Sequence, residues 1–338
     1  MARLAWVDSA RGIAITLVVL LHTSGWLTEA GLGIPFWETF NAAFSTLRMP
    51  LFFMLAGLFA AKWVAHSWVN LWTEKLSLLY WIFLIWSGLG AVFAVLSLGI
   101  NGGQFEVVKT LGALGLSLIR PRFEVWFIWA LALFFITAKL SKRATFLPQA
   151  LVAGALSIAI SSGYTTSNIG WNGATQYYIF FLAGLHLRGQ IIEFANRLTP
   201  VNCLALVLAW SPGALWLATG SPAGAIPGVL FLGTVFGMIA GLSFSKLLIP
   251  VTPLLQLGTK TLPVYVLHTP IAILASLAFA QGFMEWAPLW LRAVMPIAVA
   301  AAAIFCSLGI YSLGAKSVLF RAPRWFVIQG TRLFSRAD

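Results

Sequence analysis

Long apolar segments recur along the whole chain, and they constrain its fold more than any other feature of the sequence. Several reach about 15 to 25 residues, the length that a helix needs to cross the hydrocarbon core of a bilayer. Of the 338 residues, 60% are hydrophobic and 9% are charged, which is more apolar surface than one soluble core can bury. No segment shows the ten-residue alternation of an outer-membrane barrel. The sequence therefore predicts an all-α, polytopic integral membrane protein.

The apolar segments predict about ten transmembrane helices, with boundaries defined to within several residues. They lie at about 12–27, 44–61, 76–98, 125–138, 148–163, 173–187, 201–217, 225–245, 262–281 and 290–314. We expect these helices to form one transmembrane domain over residues 1–315, followed by a basic tail over residues 316–338.

The basic residues indicate how the predicted helices are oriented. The net charge of +12 is spread over many short loops and forms no single patch, so we expect no nucleic-acid partner. With the N-terminus inside, 16 of the 21 Lys and Arg fall in cytoplasmic segments. The rest are Arg48, Lys109, Arg120, Arg122 and Arg292. The positive-inside rule therefore places both termini in the cytoplasm.

Two segments outside the predicted spans carry helical patterns of their own. The outer connection at about 99–124 contains apolar residues at helical spacing from Glu106 to Leu118, which predicts a short re-entrant or interfacial helix. The tail from Lys316 onward mixes aromatic residues with arginines. This composition predicts an interfacial segment held to anionic membrane lipids.

Arg11 and His22 share one face of the first predicted span. They are eleven positions apart, which places them on one stripe of a helix and roughly 16 Å apart along its axis. Burying an ionisable side chain in hydrocarbon costs a few kcal/mol, so such a stripe indicates a polar cavity rather than lipid. The simpler alternative is a histidine that is hydrogen-bonded to a neighbouring helix.

The histidines are the natural candidates for a general base, because imidazole exchanges a proton near neutral pH. His268 lies near the middle of the ninth span, two positions before the helix-breaking Pro270. For His268 a structural and a functional role remain equally open. His66 and His186 fall at the predicted cytoplasmic edge, where a solvated role is expected.

Two charged residues lie at depths that His22 can approach. Arg48 opens the second predicted span at its outer end, where it can orient an anion or extend to the membrane surface. Glu124 precedes the fourth span and can hold a histidine in one tautomer. The alternative for Glu124 is a local ion pair with Arg120 or Arg122.

The sequence lacks the common motifs of other catalytic chemistries. It has no glycine-rich phosphate loop, no metal-ligand cluster and no Gly-x-Ser-x-Gly nucleophile motif. A buried histidine with cationic neighbours remains, and this combination is suited to removing a proton from a hydroxyl in a water-poor cavity. No metal is expected.

Two segments near the N-terminus resemble motifs of acyltransferase family 3, the membrane O-acyltransferases. Asp8-x-x-Arg11-Gly12, followed by His22, is similar to the family's pattern of an arginine, ten residues and a histidine. The segment from Arg48 to Gly57, Arg-Met-Pro-Leu-Phe-Phe-Met-Leu-Ala-Gly, resembles its Phe-Phe-x-x-Ser-Gly motif.

Two further segments resemble the same family. Val125–Leu131 is similar to its Leu-Trp-Phe-Leu segment, and Leu257–His268 to its Gly-x-x-Ser-Leu-x-x-Tyr-x-x-His segment. The four segments occur in family order over nearly the whole chain. The chain departs from the pattern twice, with Lys75 where the family commonly has an Arg-x-x-Arg pair and Ala56 where it has serine.

The resemblance implies a bacterial inner-membrane O-acyltransferase. It would take an acyl group, foremost acetyl, from cytoplasmic acyl-CoA and place it on a hydroxyl of a glycan or a lipid-linked sugar. His22 would be the catalytic base, and Arg11 would contribute to the site or the donor path. Arg48 and Glu124 would arrange charge around the base. Because CoA carries phosphates, Lys62, Lys75 and Arg143 are candidate donor contacts, together with Lys142 and Arg188.

Two other functional classes fit parts of the sequence. A proton-coupled transporter or flippase of an amphipathic solute would use His22 and His268 as a relay. It would also call for two related halves and more intramembrane carboxylates, and the sequence shows neither clearly. A scaffold without chemistry would leave the stripe of Arg11 and His22 unexplained.

Overall fold

The computed structural model describes residues 4–101, 107–121, 124–280, 287–314 and 317–335. Among these residues the regular structure is helical, and no strand occurs. The protein is therefore all-α in the part of the chain that the structure describes, as the apolar segments predict.

The helices follow one another closely along the chain. Their bounds are α1 (Ala5–Glu29), α2 (Pro35–Leu58), α3 (Ala61–Ala65), α4 (Trp68–Leu71), α5 (Ser77–Asn101), α6 (Val107–Gly115), α7 (Trp126–Leu140), α8 (Phe146–Ser161), α9 (Ile169–His186), α10 (Arg188–Arg197), α11 (Pro200–Ala218), α12 (Val229–Leu247), α13 (Thr252–Gly258), α14 (Thr261–Ala280), α15 (Leu289–Gly314) and α16 (Arg324–Phe334). A π-helical turn, Trp72–Leu76, joins α4 to α5.

Within the described ranges, six apolar helical stretches have the length and hydropathy that crossing a bilayer requires, and they make the chain a multi-pass membrane protein. They are Ala5–Glu29, Trp68–Leu96, Pro200–Ala218, Val229–Leu247, Thr261–Phe279 and Leu289–Gly314. The apolar helices α7 and α8 are shorter. Each of the ten predicted segments overlaps a helix of 15 residues or more. Ten spans and cytoplasmic termini stay predictions.

Two helices begin earlier than the hydropathy pattern predicts. Helix α1 starts at Ala5, so Arg11 lies inside it and not at its edge. Helix α2 starts at Pro35, where the fixed backbone angle of proline favours a first helical turn. Trp37 in that turn donates its indole N–H to the carbonyl of Ala293 at 3.1 Å. Arg48 therefore lies in the middle of α2, which corrects the predicted start of this helix at about residue 44. The predicted place of Arg48 at the outer end of a span stays a prediction.

Helix α1 lies at the centre of the bundle. It packs against α2, α12, α13, α14 and α15. Of its most apolar stretch, 61% is buried inside the protein, against 17% for α11 at the rim. A central helix has neighbours on all sides, so a polar stripe along it faces protein rather than lipid.

Helices α2 and α9 approach each other closely through a pair of glycines. A Cβ on Gly57 would lie 2.1 Å from the carbonyl oxygen of Phe181, and one on Gly184 would lie 2.1 Å from that of Met54. A residue with a side chain cannot occupy either position without moving the helices apart. Gly57 is the last residue of the second motif, which explains why that motif ends on glycine.

The basic tail is docked on the bundle, so the predicted separate segment packs against the first domain. Helix α16 packs against α4, α5 and the π-helical turn. Trp72 donates its indole N–H to the carbonyl of Val327 at 2.9 Å, and Gly330 lies against the same ring. On the outward side, Trp325 and Ile328 are exposed. The predicted short helix of the outer connection is present as α6, with Glu106 outside the described residues.

Candidate active site

His22 faces a cavity between α1, α2, α7, α9 and α14, which we name the His22 cavity. Its volume is about 270 Å³. The lining includes Arg48, Glu124, Gln176 and Tyr265. Although His22 lies deep in α1, 26% of its side chain is exposed because it borders this cavity. The polar stripe of α1 thus meets a cavity and not lipid.

Glu124 is the acidic neighbour of His22. It lies just before α7, and its Oε1 is 3.7 Å from Nδ1 of His22. Its main-chain carbonyl accepts a hydrogen bond from the hydroxyl of Tyr265, which fixes the segment before α7 against α14. Arg120, one of the two predicted ion-pair partners of Glu124, donates a hydrogen bond from Nη2 to the hydroxyl oxygen of Ser167 at 2.8 Å. Arg122, the other predicted partner, lies outside the described residues. The described residues therefore place the Glu124 carboxylate beside His22, and a pair with Arg122 stays untested.

Arg48 is a buried cation in the wall of the His22 cavity. It is 5% exposed, so it does not extend to the membrane surface. Its Nε and Nη1 are buried and have no hydrogen-bond partner among the described residues. Leaving such donors unpaired costs free energy. An anion or a polarised carbonyl in the cavity would supply the missing acceptor.

His268 lies beside His22 but is hydrogen-bonded within its own helix. The two ring centroids are 5.1 Å apart. Nδ1 of His268 lies 3.1 Å from the carbonyl of Val264, and Nε2 lies 3.2 Å from the hydroxyl of Thr269. Because a carbonyl only accepts, Nδ1 carries the proton and Nε2 accepts from the hydroxyl. This satisfied, fully buried ring favours the structural interpretation, in which His268 supports His22.

Several polar and aromatic residues of the cavity were not singled out from the sequence. Asn172 and Gln176 lie one helical turn apart on α9 and both line the cavity, as does Tyr177. Two amide side chains four positions apart lie on the same face of a helix, and in a largely apolar helix this spacing indicates a shared polar site. Trp126 lines the same cavity and packs against Gly173, where a Cβ would lie 2.3 Å from its ring.

Arg11 lines a second cavity, which we name the Arg11 cavity, of about 250 Å³. The rings of Phe127 and Tyr265 line both cavities, with centroids 5.5 Å apart. The guanidinium of Arg11 lies 5.3 Å from the ring of Phe59. Ala56, at the usual serine position of the second motif, also lines this cavity.

Close backbone packing fixes the end of α1 that carries Arg11. A Cβ on Gly12 would lie 2.2 Å from the carbonyl of Leu254, and one on Gly258 would lie 1.8 Å from that of Asp8. Gly12 and Gly258 belong to the first and the last of the four sequence motifs. The two motifs therefore meet at the contact between α1 and α13.

Two of the predicted donor contacts lie together around one aromatic ring. Nζ of Lys62 is 4.7 Å and Nζ of Lys75 is 4.8 Å from the centre of Trp63. Lys75 belongs to the π-helical turn and is close enough to Arg11 for their charges to interact. We name Arg11, Lys62, Trp63 and Lys75 the basic cluster.

The structure does not bring Arg143 to this cluster. It is exposed in the turn after α7, and within the described residues no contact joins it to Arg11, Lys62 or Lys75. Lys142, in the same turn, is also exposed. His66 and His186 likewise lie away from the His22 cavity, and His186 packs against Phe146 with ring centroids 5.3 Å apart.

A comparison with protein families identifies the family of the chain that carries this site. The family model described as an acyltransferase domain, of type 3, matches residues 4–312. The chain belongs to acyltransferase family 3. No curated protein and no solved structure matches it. The resemblance inferred from the four motifs is confirmed, and the match covers nearly the whole chain.

In this member of acyltransferase family 3, the motif residues converge on two adjoining cavities. His22, Arg48 and Tyr265 come from three motifs far apart in sequence and line one cavity. Arg11 and Ala56 line the other. A histidine beside a carboxylate, in a cavity whose wall holds an arginine with two donors unpaired among the described residues, has the groups needed to accept a proton and to stabilise a developing negative charge.

Proposed function

We propose that this protein is an O-acyltransferase that moves an acyl group, foremost acetyl, from acyl-CoA to a hydroxyl of a glycan or a lipid-linked sugar. The observation that carries the proposal is the meeting of His22, Glu124 and Arg48 at one buried cavity. This set provides a base, a group that orients it and a cation. Membership of the family supports acyl transfer as the reaction.

His22 acts as the general base in the proposed mechanism. Nδ1 faces the Glu124 carboxylate at 3.7 Å, so a proton on Nδ1 is favoured and Nε2 is left to accept one. Nε2 takes the proton of the acceptor hydroxyl while that oxygen attacks the thioester carbonyl carbon. The carboxylate then stabilises the imidazolium that forms.

Arg48 stabilises the negative charge that develops on the thioester oxygen. Its unpaired Nε and Nη1 are donors already buried in the cavity wall, so no solvent has to reorganise when the charge appears. As the carbon–sulfur bond breaks, the departing thiolate takes the proton from His22. The products are the O-acyl ester and free CoA, and the histidine returns to its neutral form.

The donor is proposed to enter from the Arg11 cavity. The basic cluster offers three cations at that end, and phosphates are strong partners for such groups. The pantetheine arm would then run along the stripe of α1, over roughly 16 Å from Arg11 to His22. Lys75 is a single cation where the family commonly has two arginines. Lys62 provides a second positive charge beside it, because both lysines lie against the ring of Trp63.

The acceptor is proposed to occupy the His22 cavity. Asn172 and Gln176 provide amide groups that can bond sugar hydroxyls, and Trp126 offers an aromatic face for the C–H side of a sugar ring. We place the protein in a bacterial inner membrane, as the family resemblance implies. The distribution of positive charge supports an orientation with the donor end in the cytoplasm and the acceptor end toward the outside.

Acyl transfer from radiolabelled acetyl-CoA tests the proposal. Protein in lipid vesicles is incubated with an extract of envelope glycans, and we expect labelled product from the wild type. His22→Ala should lower the rate by about 10² to 10⁴, the usual contribution of a general base. His186→Ala is the matched control, because it removes a histidine that does not line the cavity, and it should keep the wild-type rate.

Two outcomes would contradict the proposal. Equal rates for the wild type and a folded, inserted His22→Ala would show that His22 is not the catalytic base. Absence of both CoA release and label transfer with every extract would favour the transporter, and proton-coupled solute uptake by the same vesicles would then be measured.

A further inference from the structure

A third cavity adjoins the two described above and differs from them in its lining. It lies between α1, α5, α7 and α14 and has a volume of about 150 Å³. Its walls are largely apolar and include Trp26, Trp86, Phe93 and Ile273. We name it the apolar cavity. No cation is among the described residues that line it, so these walls are unsuited to a phosphate.

All three cavities meet at one side chain. Tyr265 lines the His22 cavity, the Arg11 cavity and the apolar cavity. Glu124 forms a second wall common to the His22 cavity and the apolar cavity. The three cavities therefore lie in three directions around Tyr265, and each is a neighbouring space for a thioester carbon placed beside that ring.

These three directions match the substituents on the reacting carbon in acyl transfer. Besides the carbonyl oxygen, which the proposed mechanism places at Arg48, the carbon carries the attacking oxygen of the acceptor, the departing sulfur of CoA and the acyl chain. The first two are assigned above to the His22 cavity and the Arg11 cavity. The acyl chain is the remaining substituent, and it is the apolar one.

We propose, on the basis of the function proposed above, that the apolar cavity holds the acyl chain of the thioester and limits its length. Burying methylene groups there removes them from water, which stabilises the complex. A dry cavity of about 150 Å³ is known to hold a benzene molecule, which corresponds to about six carbon atoms. The cavity thus accepts acetyl and other short acyl groups and excludes long fatty acyl chains.

The experiment compares acyl-CoA donors of two, four, six and ten carbons, with kcat/KM measured for each. The wild type should use the first three and discriminate sharply against the decanoyl donor. Gly90→Leu places a side chain in the wall of the apolar cavity. It should lower the ratio of butyryl to acetyl kcat/KM by about tenfold or more, in line with the effect of one or two methylenes in an apolar pocket.

Gly88→Leu is the matched control on the same helix. A Cβ at Gly88 meets no atom within 4 Å, and Gly88 does not line the apolar cavity, so the chain-length profile should equal that of the wild type. Phe93→Ala is the opposite change. It enlarges the cavity and should raise the relative rate with longer donors, which keeps the test decisive if Gly90→Leu fails to fold.

The outcomes separate this assignment from the function on which it rests. Acetyl transfer with unchanged chain-length profiles in both Gly90→Leu and Phe93→Ala would overturn the apolar cavity as the acyl site and leave the transferase intact. Absence of transfer from every donor by the wild type would overturn the transferase and the assignment together.

Discussion

At the scale of single residues, Glu124 is the group whose replacement tests the arrangement around the base most directly. Glu124→Gln keeps the shape of the side chain but removes the charge that faces Nδ1 of His22. The imidazolium then loses its stabilising partner, and the wrong tautomer becomes accessible. We expect kcat to fall by about 10² to 10⁴, measured as acyl transfer in vesicles.

Glu193→Gln is the corresponding control. Glu193 is on α10 and pairs with Arg197 on the exposed surface, so its loss should change neither kcat nor the unfolding temperature appreciably. If Glu124→Gln retained wild-type kcat, the carboxylate would have no part in orienting His22.

Replacing Arg48 should have opposite effects on activity and on stability. Its Nε and Nη1 are buried and have no hydrogen-bond partner in the part of the chain that the structure describes, which costs stability in the absence of substrate. Arg48→Met removes this cost with a side chain of similar length. We expect thermal stability to be equal or higher, by up to about 4 kcal/mol, while kcat falls by about 10² to 10³ through loss of charge stabilisation.

The readouts are thermal unfolding and acyl transfer of the same preparation. Arg197→Met, on an exposed arginine whose side chain is 78% accessible, should leave both unchanged. A loss of stability in Arg48→Met together with unchanged kcat would make Arg48 a structural residue.

The sequence predicted individual site residues better than their partners. The shared stripe of Arg11 and His22 follows from helical spacing alone, which is a local property. The approach of Glu124 to His22 depends on how the segment before α7 packs against α1 and α14, and no local pattern encodes it. For the same reason, the sequence left a pair with Arg120 open, and the structure shows Arg120 bonded to Ser167.

At the scale of helices, the contact between α2 and α9 sets the position of Arg48 relative to α9. Gly57→Ala would place a Cβ 2.1 Å from the carbonyl of Phe181, so the helices must separate. Such overpacking costs about 1 to 3 kcal/mol or more. We expect a lower unfolding temperature and reduced acyl transfer.

Gly154→Ala on α8 is the control for this contact. A Cβ there meets no atom within 4 Å, and alanine is the better helix former by about 1 kcal/mol. Its unfolding temperature should be equal to or above that of the wild type. Equal stability of Gly57→Ala and Gly154→Ala would show that the close approach of α2 and α9 is not required.

Helix positions were predictable where hydropathy governs them and less so where packing does. Each predicted span overlaps a long helix, because apolar length is a property of the sequence itself. The early start of α2 depends on the contact of Trp37 with α15. The π-helical turn at Trp72–Leu76 accompanies the docking of α16, a contact between residues more than 240 positions apart that hydropathy does not report.

At the scale of the whole molecule, the distribution of charge predicts an even number of spans and cytoplasmic termini. A fluorescent-protein fusion after Asp338 should fluoresce, because that reporter folds in the cytoplasm. An alkaline phosphatase fusion after Arg120 should be active, because that enzyme needs the outer compartment. An active phosphatase fused after Asp338 would contradict the predicted topology.

The contact between His22 and His268 also bears on how the molecule is made. His22 is in α1, whereas His268 belongs to α14, which comes late in the chain. The contact between the two rings cannot form until α14 has been synthesised and inserted. A partly translated chain without α14 therefore lacks Tyr265 and His268 beside His22, and the proposed reaction with acyl-CoA cannot begin before this late helix is in place.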